Sequence, residues 1–127
     1  RPVELPELLA EADIVSVHLP LNSSTKDILD AKHLNMMKTG GILINFARGG
    51  LVDENELRRL LIRGKIRGAA FDVFGKEPPK DEQLLNLPNF IATPHIGGSS
   101  KEAILAMGRA AIEGLEKADF PLDEVVT

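Results

Sequence analysis

Apolar residues in this chain fall into short continuous runs, separated by stretches in which they recur at helical spacing. Ile14 to Leu19 (IVSVHL), Ile42 to Phe46 (ILINF), Ile66 to Val73 (IRGAAFDV) and Phe90 to Thr93 (FIAT) have the length and character of strands. Glu7 to Ala12 (ELLAEA), after Pro6, reads as a short helix, and Asp30 is placed to cap another that runs through Met37 and closes at Thr39-Gly40-Gly41. The clearest helix follows Asp53. Asp53 and Glu56 have capping-box spacing, Leu57, Leu60 and Leu61 form a stripe at i, i+3, i+4, and Gly64 stands where a C′ glycine belongs. Ser99 and Glu102 repeat the box ahead of Ile104, Met107, Ala111 and Leu115, which predicts a long helix to about Ala118 with a polar tail from Asp119. Gly75 to Pro88 reads as an irregular connection.

Strands alternating with helices, and strands that are apolar throughout, predict an α/β fold: a parallel sheet of about four strands with helices on each side. Ligands of such sheets bind at the carboxyl ends of the strands. His18 lies near the end of the first strand, Arg48 just past the second, Asp72 at the end of the third and His95 just past the fourth. Four polar groups therefore converge on one edge.

Composition narrows the classes of partner. The 127 residues carry a formal charge of -4, with 43% hydrophobic and 27% charged residues, as expected of one globular unit without an electrostatic footprint for nucleic acid or an anionic membrane. No apolar run approaches the roughly 18 residues of a membrane span, and Arg1 to Glu7 has no signal-peptide core, so a cytoplasmic location is the expectation. With no cysteine, disulfides and thiol catalysis are excluded. No metal site is expected.

Among the candidates, Arg48 in "NFARGGLVDENEL" offers a permanent planar cation suited to a carboxylate, flanked by glycines that let backbone approach a ligand. His95 in "TPHIGGSS" could relay protons near neutral pH, or be an ordinary turn histidine. Asp72, at the end of a buried strand, must find hydrogen-bond donors in a local turn or a ligand amide. His18 reads as a structural strand-end histidine, His33 as solvated, and Glu77 in "GKEPP", by spacing alone, as a solvent loop residue.

Through "ADIVSVHLPLNSST", "LINFARGGLVDENEL", "GAAFDVFGKEPP" and "NFIATPHIGGSS", which span nearly the whole chain in order, the sequence resembles the D-isomer-specific 2-hydroxyacid dehydrogenases, D-3-phosphoglycerate dehydrogenase among them. That resemblance implies a partial Rossmann-type NAD-binding domain. It implies Arg48 as the residue orienting substrate carboxylate and carbonyl, His95 as general acid/base and Glu77 as its hydrogen-bond partner. Leu19, Phe46, Ala47, Arg48, Asp72, His95, Gly97 and Gly98 then correspond to cofactor contacts. The cofactor implied is NAD, with NADP not excluded, and the substrate a small 2-hydroxy or 2-keto acid.

The family's G-x-G-x-x-G loop occurs nowhere in the sequence. The resemblance therefore implies that residues 1–118 are the C-terminal half of a cofactor domain and 119–127 a tail. The glycine loop and the substrate domain would belong to a longer enzyme, expected to be a homodimer. Two other readings stand beside this one: a cofactor-dependent co-repressor-type binding module of the same fold, and a flavodoxin-like or receiver-like domain. An unpaired edge on the strand from Ile14 would also invite pairing with another copy.

Overall fold

A computed structural model describes residues 1–117, in the order α1 (Leu5–Glu11), β1 (Ile14–Val17), α2 (Ala31–Met36), β2 (Gly41–Asn45), α3 (Glu54–Ile62), β3 (Ile66–Phe71), α4 (Glu82–Leu85), β4 (Phe90–Ala92) and α5 (Lys101–Lys117). The expected helix end at Ala118 and the tail from Asp119 lie outside the described residues. The described residues fall into two units, Arg1–His95 and one that begins at Ile96. Among the described residues no helix is long and apolar enough to cross a membrane.

The first unit holds one sheet, ordered β1-β2-β3-β4 and parallel throughout, with β1 on an edge. Register aligns Val15 with Leu43, Leu43 with Ala69 and Ala69 with Phe90, and all four are buried. Period-2 alternation places these residues on one face, where they share a core with Leu9 of α1, Leu34 of α2 and Leu57, Leu60 and Leu61 of α3. On the opposite face Ile14 is 57% and Ile91 67% exposed, so within this unit burial falls mainly on one side of the sheet. Phe71, Phe74 and Phe90 close the core near β4, with ring centroids 5.5 to 6.3 Å apart.

Local signals explain the helix ends. Asp30 accepts from the His33 amide and Asp53 from the Glu56 amide, each satisfying an otherwise orphaned donor. At the end of α3, Gly64 at φ +71° donates to Leu61 C=O and Lys65 to Leu60 C=O, the paired bonds of a Schellman cap. Three expectations need correction. The Glu56 carboxylate does not close a reciprocal box: the Asp53 amide donates to Leu29 C=O, and the carboxylate accepts from Asn35 and Arg59. The connection after β3 is not wholly irregular, since Asp81 caps the single turn α4 through the Leu84 amide. In the second unit Ser100, not Ser99, caps α5: its hydroxyl accepts from the Ala103 amide, while the Ser99 amide is used in a turn to Ile96 C=O.

Candidate functional site

The apolar runs outlast the strands by one or two residues, and those extra residues build the carboxyl edge. β2 ends at Asn45, which is 1% exposed and turns its side chain along the chain. Its Nδ2 donates to Arg48 C=O at 3.0 Å and its Oδ1 accepts from the Ala47 amide at 3.2 Å. A buried amide thus fixes the turn that carries Arg48. Gly49 sets the turn's outer side: a Cβ there would lie 1.9 Å from Phe74 O and 2.5 Å from Gly75 N. The expectation that this glycine admits a ligand is corrected. Gly49 admits the backbone of the neighbouring loop, which binds the turns after β2 and β3 together. Arg48 itself is exposed, its guanidinium donating to Ala47 C=O at 2.7 Å.

The turn after β3 carries Glu77, whose Oε1 accepts from the Phe74 amide at 3.0 Å. Its Oε2 meets Nδ1 of His95 at 2.8 Å, linking the turns after β3 and β4. These contacts, first the His95 ring and then the Phe74 amide, hold the Glu77 carboxyl below its ordinary range. His95 has φ +54°, a left-handed conformation that non-glycine residues adopt at a cost, so its backbone is strained to place the ring. Asp72 is buried and accepts the Thr93 hydroxyl, which supplies one of the donors its position demands. Asp72, Phe74, Glu77, Thr93 and His95 line a concavity of about 370 Å³.

A second concavity, of about 580 Å³, is lined by His18, Leu19, Leu21, Ala47 and Arg48. The predicted residues are therefore brought together in two groups, His95 with Glu77 and Asp72, and Arg48 with Leu19 and Ala47. His18 is exposed and bonded to Ser16 Oγ at 2.8 Å. Phe46 lies 57% exposed just past β2. Gly97 and Gly98 belong to the second unit, in the segment ahead of α5. His33 departs from expectation: it is partly buried, and its ring Nδ1 pairs with Asp30 at 2.8 Å. Among the described residues no three His, Asp or Glu cluster as metal ligands.

Sequence reasoning missed Asn45 and Thr93. Neither polar residue at a strand end carries a motif: Asn45 holds its own turn, and only the register of β3 with β4 shows that Thr93 meets Asp72. Leu19 and Phe46 offer exposed apolar contacts such as a planar ring would use, and in the first concavity the buried Asp72 carboxylate could accept from a ligand amide. The exposed Arg48 guanidinium could grip an anion, and the carboxylate-bound His95 imidazole could move a proton.

Residues 1–97 match the family described as D-isomer specific 2-hydroxyacid dehydrogenase, NAD binding domain. The chain is 46% identical over 114 residues to a D-3-phosphoglycerate dehydrogenase of Methanocaldococcus jannaschii, covering 90% of this chain and 22% of the relative. It is 44% identical over 117 residues to a glycerate dehydrogenase of Methylorubrum extorquens, covering 90% and 37%. A solved glyoxylate reductase from Paecilomyes thermophila superposes with a TM-score of 0.86 at 39% identity, covering 90% of this chain and 35% of that one. The chain thus spans well under half the length of these relatives. Fold, strand-end geometry and sequence agree that it belongs to the D-isomer specific 2-hydroxyacid dehydrogenase family, within its NAD binding domain.

Proposed function

We propose that this segment serves a nicotinamide-dependent dehydrogenase that interconverts a small 2-keto acid and its D-2-hydroxy acid. The observation that carries the reading is the Glu77–His95 pair, with Glu77 on a loop whose backbone packs at Gly49 against the turn presenting Arg48. In this reading Arg48 pairs its guanidinium fork with the substrate carboxylate and polarises the neighbouring carbonyl. His95, with Nδ1 engaged by Glu77, keeps Nε2 for the carbonyl oxygen, giving it a proton in reduction and taking one back in oxidation. Glu77 orients the ring by its hydrogen bond to Nδ1. Leu19, Phe46 and Ala47 would contact the cofactor and Asp72 its nicotinamide, which when bound supplies or accepts the hydride.

The sheet supports a division of labour within a longer chain. Its strand order runs one way without reversal, whereas dinucleotides bind where the order of a doubly wound sheet reverses. In this reading the reversal lies beside β1, and a preceding half-domain supplies the pyrophosphate-binding glycine loop. Names of the matched relatives, dehydrogenases and a reductase, favour the enzyme over a co-repressor-type module. In the same reading the whole protein is a cytoplasmic homodimer.

The test is oxidation of NADH by the complete protein that carries this segment, with 2-keto acids of differing side chain. Turnover is expected, and Arg48→Lys should lower kcat/KM at least about tenfold while changing NADH affinity little, because a fork is lost but no cofactor charge pair. No turnover with any 2-keto acid, or loss of NADH affinity in Arg48→Lys, would overturn it.

A further inference from the structure

The Phe74–Glu77 turn is held from a third direction, by a residue to which no role has been given. Glu54, the first residue of α3, extends its carboxylate to the Gly75 amide, which donates to Oε1 at 2.7 Å. The cap of α3 does not require this, since Asp53 already accepts from the Glu56 amide. Nor is the location comfortable for a carboxylate. Glu54 is half-buried, and burial, with Asp81, Asp53 and Glu77 nearby, raises its pKa against the opposing Gly75 hydrogen bond. Lys76 and Lys80 line the same cavity of about 190 Å³ beside it.

The consequence lies in how Glu77 is fastened. One of its oxygens closes the turn on the Phe74 amide and the other meets His95, so the carboxylate reaches the imidazole only while the turn keeps its shape. Gly75 is the next amide in that turn, and Glu54 is its acceptor. We propose that Glu54 is a positioning residue for the Glu77–His95 pair: by accepting from the Gly75 amide it fixes the turn that aims Glu77 at the His95 ring. This deepens the function proposed above and rests on His95 being the acid/base there. The hydrogen bond, rather than the charge, is the working part, because a carbonyl oxygen at the same reach would serve the amide equally.

The experiment follows the His95 ring by NMR in the complete protein with 15N-labelled histidine, the His95 signal being assigned by its loss in His95→Gln. Glu54→Ala should move the His95 titration midpoint towards acid by about half a unit or more, in the direction produced by Glu77→Gln, because a loosened carboxylate favours the imidazolium less. Glu54→Asp, which keeps the charge but falls short of the amide, should act likewise. Glu54→Gln keeps the acceptor and should titrate as wild type. The His33 signal, paired with Asp30 elsewhere, should not move. Profiles of kcat/KM against pH should shift with the midpoint. An unmoved midpoint in both Glu54→Ala and Glu54→Asp overturns the proposal, as does Glu54→Gln shifting as far as Glu54→Ala. Should the midpoints move as expected in a protein that turns over no 2-keto acid, the positioning role stands and the dehydrogenase reading falls.

Discussion

The turn after β2 and the turn after β4 each present a basic side chain at the same edge, and they are built in opposite ways. Arg48 sits on backbone fixed from inside by the buried Asn45 amide and from outside by the Gly49–Phe74 contact, while its side chain is exposed. His95 sits on strained backbone, and its side chain is the part held, by Glu77. A guanidinium keeps its charge at every ordinary pH, so its turn need only be located. An imidazole titrates near neutrality and needs a carboxylate to bias its charge as well as its direction. Permanent charge is positioned through the main chain, and switchable charge through a partner side chain.

The largest test of this contrast removes the switchable group. In the complete protein His95→Gln should lower kcat/KM by about 10²- to 10⁴-fold, the usual contribution of a general acid/base, with NADH affinity nearly intact. A loss no greater than that of Arg48→Lys would erase the difference between the two sites. Next comes the backbone lock. Gly49→Ala drives a methyl into Phe74 O and must part the two turns, costing about 1 to 3 kcal/mol or more, read as a lower denaturant midpoint or Tm. Unchanged stability would mean that the two turns are not locked at all. The smallest effect tests the carboxylate partner. Because the folded-state pKa of Glu77 is depressed, its contribution to stability is present above the unfolded value, near 4.3, and is lost as pH falls through the folded value. The Tm gap between wild type and Glu77→Gln should therefore be small near neutrality and close as the solution is acidified. A gap that widens towards acid would show that the His95 contact does not favour the ionised carboxyl.

What could be read in the sequence was local or periodic. Asp53 and Gly64 bracket α3 because capping and C′ chemistry act within a few residues, and the four apolar runs are the four strands. α4 was missed because a four-residue helix has no period to detect, and its start signal, Asp81, follows a proline pair. At the site, Arg48 and His95 could be placed from strand order alone. The pairing of His95 with Glu77 spans 18 residues and followed from family resemblance, since spacing alone left Glu77 in solvent. Thr93 and the true neighbour of Gly49 were illegible, because each meets a residue distant in sequence that only strand register brings close, while Asn45 acts within its own turn, on Ala47 and Arg48, without a motif to mark it.

The left-handed backbone at His95 also bears on how this protein could be redesigned. Glycine and asparagine occupy that conformation with less strain than histidine, so a procedure that ranks substitutions by folding stability would favour either one at this position. It would then have exchanged the proposed proton donor for a better turn. Position 95 is one where selection for stability and selection for turnover pull apart, and a stabilised variant of this protein should be checked first for an intact imidazole there.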